Sequence, residues 1–258
     1  MLGYLVAGCA LFGLALGSFL NVVIYRVPRH ESIVSPRSHC PSCATPLREI
    51  DNIPVVSWLI LRGKCRTCHV AISPRYLVVE LACAALFAGG AARLGFRADL
   101  PAVLVLLAAL LALGSVDLEL LVLPKSMVYS ALALVSVLFL LAATGTNAWG
   151  NAAMAAECAA AWTVLFFLMN LVSPRILGFG DVRLALLLGV GLGWFGWRYA
   201  VLGFFAGNFI GAVIGVTLIV TKKMRRDQPV PYGVFLALGA AVAIFAGPAF
   251  LGPLPALS

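Results

Sequence analysis

GSVDLELLVLP (Gly114–Pro124) and GFGDVRLALL (Gly178–Leu187) each set an aspartate against a long apolar run. The first follows LPAVLVLLAALLAL, residues 100–113, which holds no charged side chain. Such a run belongs in hydrocarbon. An ionised carboxylate beside it is costly enough that function is the default reading for Asp117 and Asp181.

Working outward from these runs, the whole chain reads as a membrane protein. It has 258 residues, 62% hydrophobic and 11% charged, with mean hydropathy +1.04. A soluble domain of this size has no interior large enough to hide that much apolar surface. Segments of about 17–25 apolar residues cross a core of about 30 Å. Eight are expected, near 2–25, 76–95, 100–118, 125–143, 149–172, 181–197, 199–220 and 232–251. The predicted fold is an all-α polytopic membrane protein with a small polar insert between helices 1 and 2. Its expected organisation is a first transmembrane helix (1–25), an insert (26–75) and a seven-helix membrane domain (76–258) that carries both aspartates. No Lys or Arg precedes the first apolar run, and no small-residue cleavage site is evident. It therefore reads as a retained helix and not as a signal peptide.

Basic residues set the expected orientation. Of 18 Lys and Arg, eight fall between residues 26 and 75. Lys125, Arg175, Arg183, Lys222, Lys223, Arg225 and Arg226 fall at later turns on the same side, leaving Arg93, Arg97 and Arg198 on the other. The positive-inside rule then places the insert in the cytoplasm and both termini outside. Asp117 and Asp181 come out at the same, cytoplasmic leaflet, although neither entered the count. The net charge of +8 is accounted for by topology and anionic headgroups. Membrane lipid is thus a partner. No aromatic-interleaved basic stripe points to nucleic acid.

The insert holds four of the seven cysteines, paired as CPSC (Cys40, Cys43) and CRTC (Cys65, Cys68) with 21 residues between. Two such knuckles can aim four thiolates at one tetrahedral Zn²⁺. A cytoplasmic location keeps thiols reduced, which disfavours disulfides. A segment of about 50 residues has little core, so a metal would supply folding energy. His39 and His69 adjoin the candidate ligands. Cys9, Cys83 and Cys158 lie in apolar spans and are expected to pack as small hydrophobes.

Two converging carboxyls can share one proton and hold a water for attack on a carbonyl. One acts as general base, and the other, protonated, polarises the carbonyl. Asp181 opens a predicted helix, where the macrodipole favours its charged form and makes it the candidate base. Gly178 and Gly180 precede it and could let an extended substrate backbone approach closely. The competing structural reading pairs the aspartates with Lys125, Arg175 or Arg183 at the interface. Glu119 reads as interfacial, Glu157 as an isolated buried acid, and Trp194 and Trp197 as an outer aromatic belt.

Taken in order, GSFLNVVIYRVP (Gly17–Pro28), RSHCPSCATPL, the stretch Asn52–Leu81, the Asp117 segment and GFGDVRL resemble the bacterial prepilin peptidases. These are bifunctional leader peptidase/N-methyltransferases of type IV pili and type II secretion. The resemblance implies an enzyme of the bacterial inner membrane. It would cut the basic leader from prepilins or pseudopilins after a glycine, then methylate the new N-terminal residue using S-adenosylmethionine. It places the catalytic aspartates on Asp117 and Asp181 and the cysteine tetrad on Cys40, Cys43, Cys65 and Cys68. Glu119, Lys125 and Arg183 depart from the family pattern. No Gly-rich strand–loop–helix device for S-adenosylmethionine is present. The insert and its flanks, with Asn21, Arg26 and Glu80, are the expected methyl-transfer region. Two other classes also fit intramembrane acids: a proton-relaying transporter, though no internal repeat supports it, and a scaffold that binds pilins without cutting them.

Overall fold

The computed structural model describes residues 1–40, 42–173, 177–223, 228 and 230–254. Arg175, Arg225 and Arg226, three of the expected inner-side cations, lie outside the described residues. The chain forms two compact units, Met1–Phe96 and Arg97–Ser258.

In the first unit, α1 (Leu2–Arg26) and α3 (Arg75–Leu94) flank the insert, which carries the short α2 (Val56–Ile60). The long helices meet along a seam written in α1 as Gly13-x-x-x-Gly17-x-x-x-Asn21, residues that stack on one face at a spacing of four. A Cβ at Gly13 would lie 2.9 Å from the Ala84 Cα, and one at Gly17 would lie 2.8 Å from the Glu80 Cα. Small residues at that spacing let two apolar helices touch where lipid offers no hydrophobic drive between them. One turn further on, the Asn21 Nδ2 donates to the Tyr76 carbonyl at 3.1 Å.

The second unit is a helical bundle: α4 (Leu100–Leu120), α5 (Lys125–Thr146), α6 (Trp149–Val172), α7 (Phe179–Gly193), α8 (Trp197–Val220), α9 (Tyr232–Phe245) and α10 (Gly247–Leu251). Six helices of the described chain are long and apolar enough to span a bilayer: α1, α3, α4, α5, α6 and α8. The expected sixth and eighth spans are shorter. α7 has 15 residues and α9 has 14, about 21–23 Å at the helical rise. Local sequence explains both. α7 stops in a glycine-rich stretch that ends at Gly196 with φ +107°, a conformation that suits glycine. The apolar run after Tyr232 is broken at Gly247-Pro248, because proline cannot continue the hydrogen-bond ladder. The expected segment 232–251 is therefore divided into α9 and α10.

Asp99 starts α4 and is fully buried. It accepts from the Arg97 Nε and Nη2 at 3.0 and 2.8 Å and from the Trp194 Nε1 at 2.9 Å. The Trp194 ring stacks on Phe139 with centroids 4.4 Å apart. Trp194 is thus a core residue with a satisfied indole and not part of an aromatic belt; Trp197 is exposed. Glu157 is also exposed, contrary to the buried position expected for it. Cys83 and Cys158 are buried among apolar neighbours, as expected, while Cys9 is half-buried.

Candidate functional site

Asp117 lies one turn before the end of α4, and its carboxylate caps a different helix. Pro231, at the N-cap of α9, offers no side-chain acceptor. The first N–H groups of that helix therefore need a partner from elsewhere. The Asp117 Oδ2 accepts from the Val234 N–H at 3.2 Å. Gly233 makes this approach possible, since a Cβ there would stand 2.9 Å from the same oxygen.

Asp181 caps its own helix. It is the third residue of α7, and its Oδ2 accepts from the Gly178 N–H at 3.1 Å, while its own N–H donates to the Gly178 carbonyl at 3.0 Å. Glycine has no side chain to reciprocate, so this is half of a capping box. Both aspartates are therefore held at helix N-termini. The helix-start argument that singled out Asp181 as the base applies equally to Asp117.

The turn after α4 ties the two acids together. Leu121 adopts the left-handed conformation at φ 55° and donates to the Asp117 carbonyl oxygen at 2.9 Å, which reverses the chain. Leu123 then turns back into the bundle and is buried. It lies 3.1 Å from where Gly180 would carry a Cβ, and 3.3 Å from the same point on Gly233. One side chain thus contacts both the residue before Asp181 and the residue before the N–H that holds Asp117. Both acids are at least nine-tenths buried.

The pairing with Lys125 or Arg183 is not found. Among the described residues, neither aspartate is in an ion pair. Lys125 is exposed, the Arg183 guanidinium lies 5.0 Å above the Phe179 ring, and Arg175 lies outside the described residues. Gly178 and Gly180 do not use left-handed backbone. Gly178 is extended at φ −73°, and Gly180 is helical and packs against Leu123. Glu119 is exposed, as expected.

The N-terminus of α9 did not figure in the sequence reading. Pro231-Tyr232-Gly233 is a recognisable helix start, but which acid it would cap is invisible in the linear order. The Tyr232 hydroxyl donates to the Asn208 Oδ1 at 3.1 Å, and its ring lies 6.3 Å from that of Phe166.

The thiols of Cys40, Cys43, Cys65 and Cys68 all lie within 4.8 Å of one another. Their two loops are near copies. In one, the Ala44 N–H donates to the Cys40 carbonyl at 2.9 Å and the Cys40 N–H to the Thr45 carbonyl at 3.0 Å; in the other, His69 and Val70 repeat the pattern about Cys65 at 3.0 and 2.9 Å. Ala44 and His69 take the left-handed turn at φ 54° and 57°, and the bridges His39↔Pro46 and Lys64↔Ala71 close the loops. The Cys40 and Cys68 sulfurs are 3.7 Å apart, close to the edge of a tetrahedron with metal–sulfur bonds of about 2.3 Å. The Thr45 hydroxyl and N–H draw the Cys43 thiol down to about 6, and the N–H groups of Cys68 and Thr67 lower Cys65. The Val70 N–H works downward on Cys68, but burial and the neighbouring thiols push it up to about 11. The cluster therefore carries its full negative charge only around a cation, and four converging sulfurs fit a metal such as zinc. His39 is exposed and tied to the Arg37 carbonyl; His69 is exposed too. Neither belongs to the cluster.

Asn21, Arg26 and Glu80 are all buried and border one cavity of ≈ 1210 Å³ in the first unit. They are not equivalent. Arg26 gives Nη1 to the Ser32 carbonyl and Nη2 to the Pro36 carbonyl, both at 2.8 Å, and so fastens the chain leaving α1. The Glu80 Oε2 accepts from the Val55 N–H at 2.7 Å. Asn21 keeps its Oδ1 without a partner.

Comparison with known proteins agrees with this anatomy. Residues 11–94 match the bacterial peptidase A24 N-terminal domain, and residues 104–216 match the type IV leader peptidase family. A prepilin leader peptidase/N-methyltransferase of Stutzerimonas stutzeri is 34% identical over 266 residues, covering 93% of this chain and 90% of the relative. One from Burkholderia pseudomallei is 33% identical over 281 residues, covering 96% and 87%. One from Myxococcus xanthus is 41% identical over 231 residues, covering 84% and 66%. No solved structure matches. With both halves matched in order and relatives aligned along most of its length, the chain belongs to the type IV leader peptidase family.

Proposed function

We propose that this protein removes the leader peptide from prepilins or pseudopilins with Asp117 and Asp181, and then N-methylates the exposed residue. What supports the cleavage half is a pair of buried acids whose flanking residues share a contact with Leu123, neither in an ion pair among the described residues. Each carboxyl commits Oδ2 to a helix N-terminal N–H, which leaves the two Oδ1 atoms for a shared proton and a water. The ionised partner takes a proton from that water as its oxygen attacks the scissile carbonyl carbon. The protonated partner gives its proton to the carbonyl oxygen. Collapse of the tetrahedral adduct breaks the C–N bond: the leaving amine takes up the proton held by the first carboxyl, and a hydroxyl of the adduct returns its proton to the second as the new carboxyl forms. Two carboxyls that share a proton titrate in steps that belong to the pair and not to either residue. Gly178, extended and without a side chain at the mouth of α7, lets a substrate strand approach closely, and Gly180 keeps Leu123 seated below it.

The finer topology is part of the same reading. All eight expected spans cross or enter the bilayer, and the short α7 and α9 begin at the cytoplasmic leaflet, where Asp181 and the cap of Asp117 lie. The insert faces the cytoplasm and both termini lie outside, with membrane lipid around the bundle. A prepilin's apolar helix can stay in lipid while its basic leader reaches the acids. The insert 26–75 is the methyl-transfer-associated region, with Zn²⁺ held by Cys40, Cys43, Cys65 and Cys68 in a structural role. S-adenosylmethionine supplies the methyl group when bound. The cavity beside Asn21 and Glu80 is large enough to admit it, and Arg26 shapes that cavity through the backbone.

Incubating the purified protein with a prepilin, with and without S-adenosylmethionine, and weighing the product tests both halves. Loss of the leader reports cleavage, and one added methyl reports transfer. Cleavage that persists undiminished in Asp117→Asn or Asp181→Asn protein would refute the dyad.

A further inference from the structure

Among the polar atoms of residues bordering the cavity of the first unit, the Asn21 Oδ1 and the Trp58 Nε1 are buried without a hydrogen-bond partner. Asn21 is 1% exposed, and its Nδ2 donates to the Tyr76 carbonyl. That carbonyl can only accept, so the amide is fixed with its oxygen pointing away. The Asn21 Oδ1 is left as a bare acceptor. The Trp58 Nε1–H is buried without an acceptor. Gly63, at φ +65°, lets its backbone lie against the indole, for a Cβ there would be 2.8 Å from the Trp58 Cζ2. Both residues border the cavity, as does Glu80.

An unmet buried polar atom calls for an explanation, because leaving it unpaired costs most of its desolvation penalty. Here one acceptor, one donor and a carboxylate belong to residues that line the same cavity. Asn21 and Glu80 are neighbours across the helix seam: Asn21 meets Tyr76, one turn before Glu80, while Gly17, one turn before Asn21, meets Glu80 itself. The two arginines nearest Asn21 in sequence are occupied. Arg26 is held by the Ser32 and Pro36 carbonyls. Arg29 lies over the Tyr25 ring and donates to the Tyr25 carbonyl at 2.6 Å.

We propose that Asn21, Glu80 and Trp58 form a seat for an α-ammonium group and the carbonyl beside it, namely the new N-terminus of the processed peptide. The ammonium donates to the Asn21 Oδ1 and faces the Glu80 carboxylate, and the first peptide carbonyl accepts from the Trp58 Nε1–H. A sulfonium carries no N–H and cannot satisfy the Asn21 oxygen. The proposal rests on the methyl-transfer half of the function above and adds where the acceptor amine is held. An α-amino group also occurs at the amino-acid end of S-adenosylmethionine, so the test separates the two sources.

The full chain in detergent is titrated with an apolar peptide that begins with Phe, in free-amine and N-acetylated forms, and with S-adenosylhomocysteine. The readout is the ratio of the two peptide affinities, which does not depend on how much of a sample is folded. Wild type should prefer the free amine by about ten-fold or more, the worth of one charge-assisted hydrogen bond. Asn21→Ala and Glu80→Gln should bring the ratio towards one. Asn21→Asp, which keeps an acceptor at the same place, should retain the preference. A wild-type ratio in Asn21→Ala protein overturns the seat. So does a variant that loses S-adenosylhomocysteine affinity and keeps the peptide ratio. If wild type transfers methyl yet shows a ratio near one, the seat fails alone. If it neither transfers nor discriminates, the methyl-transfer reading fails with it.

Discussion

Helix α4 carries a buried carboxylate towards each end, and the two are treated in opposite ways. At its start, Asp99 is matched by the Arg97 guanidinium through two hydrogen bonds and by the Trp194 indole through a third. Near its finish, Asp117 has a backbone cap and, among the described residues, no cation, and the same holds for Asp181. A fully satisfied buried acid anchors a fold. An acid held in place but electrically unmet is available for proton transfer. The difference separates Asp99 from the two acids proposed as catalytic more clearly than burial does, since all three are buried.

The largest effects should come from the unmet acids. Asp117→Asn or Asp181→Asn should lower the rate of leader removal by about 10³-fold or more and leave thermal stability close to wild type, which a melting curve on the same sample would show. Asp99→Ala should do the reverse. Removing the buried acceptor shared by Arg97 and Trp194 should cost about 3–5 kcal/mol of stability, while cleavage per folded molecule stays near wild type. An inactive but undestabilised Asp99→Ala protein would break the comparison.

A smaller effect is expected at the cap of Asp117. A Cβ at 233 stands 2.9 Å from the Asp117 Oδ2, so Gly233→Ala should push the carboxyl out of line. The expected loss is about 10–100-fold in kcat with KM little changed, in keeping with a misplacement of an ångström or less. A steady-state assay over a range of prepilin concentrations would show the split. If KM rises and kcat holds, Gly233 contacts the substrate and does not position the acid.

Removing metal sharpens the contrast in the insert. Chelation should raise amide exchange through the Cys40–Thr45 and Cys65–Val70 loops, because little apolar core holds them together without it. Protection unchanged by chelation would mean that the four thiols are not the metal site.

The smallest effect is a pH dependence. Asp51 accepts from Arg66 at 2.6 Å, and that hydrogen bond and charge hold its carboxyl below the usual range. A depressed carboxylate contributes stability that is present above its unfolded value of about 3.9 and is lost as pH falls through the lower, folded value. Amide exchange around residues 48–53 should therefore rise on acidification below about pH 4, and in Asp51→Asn protein that step should vanish.

Several features were legible before any coordinates. Apolar run length predicted the long helices, since crossing hydrocarbon fixes a minimum number of residues. The Cys pairs predicted a converging tetrad, since each CxxC turn aims two sulfurs one way. Run length misjudged α7 and α9, where glycine and proline end the helix while the composition stays apolar. Trp194 misled for a similar reason: a tryptophan near a helix end has the same composition whether it faces lipid or stacks on Phe139. Arg26 and Asn21 looked alike as polar residues beside the insert, but one proves saturated and the other half-empty.

By itself, the sequence determined that this chain lives in a membrane, which residues carry acid and thiol chemistry, and which family it resembles. Those are properties of composition and of local order along the chain. Only the tertiary structure decided that Asp117 caps α9, that Leu123 joins Gly180 to Gly233, and that Asn21 keeps an empty acceptor. Each depends on which backbone groups are already satisfied by a distant partner, and a linear order of residues does not contain that information.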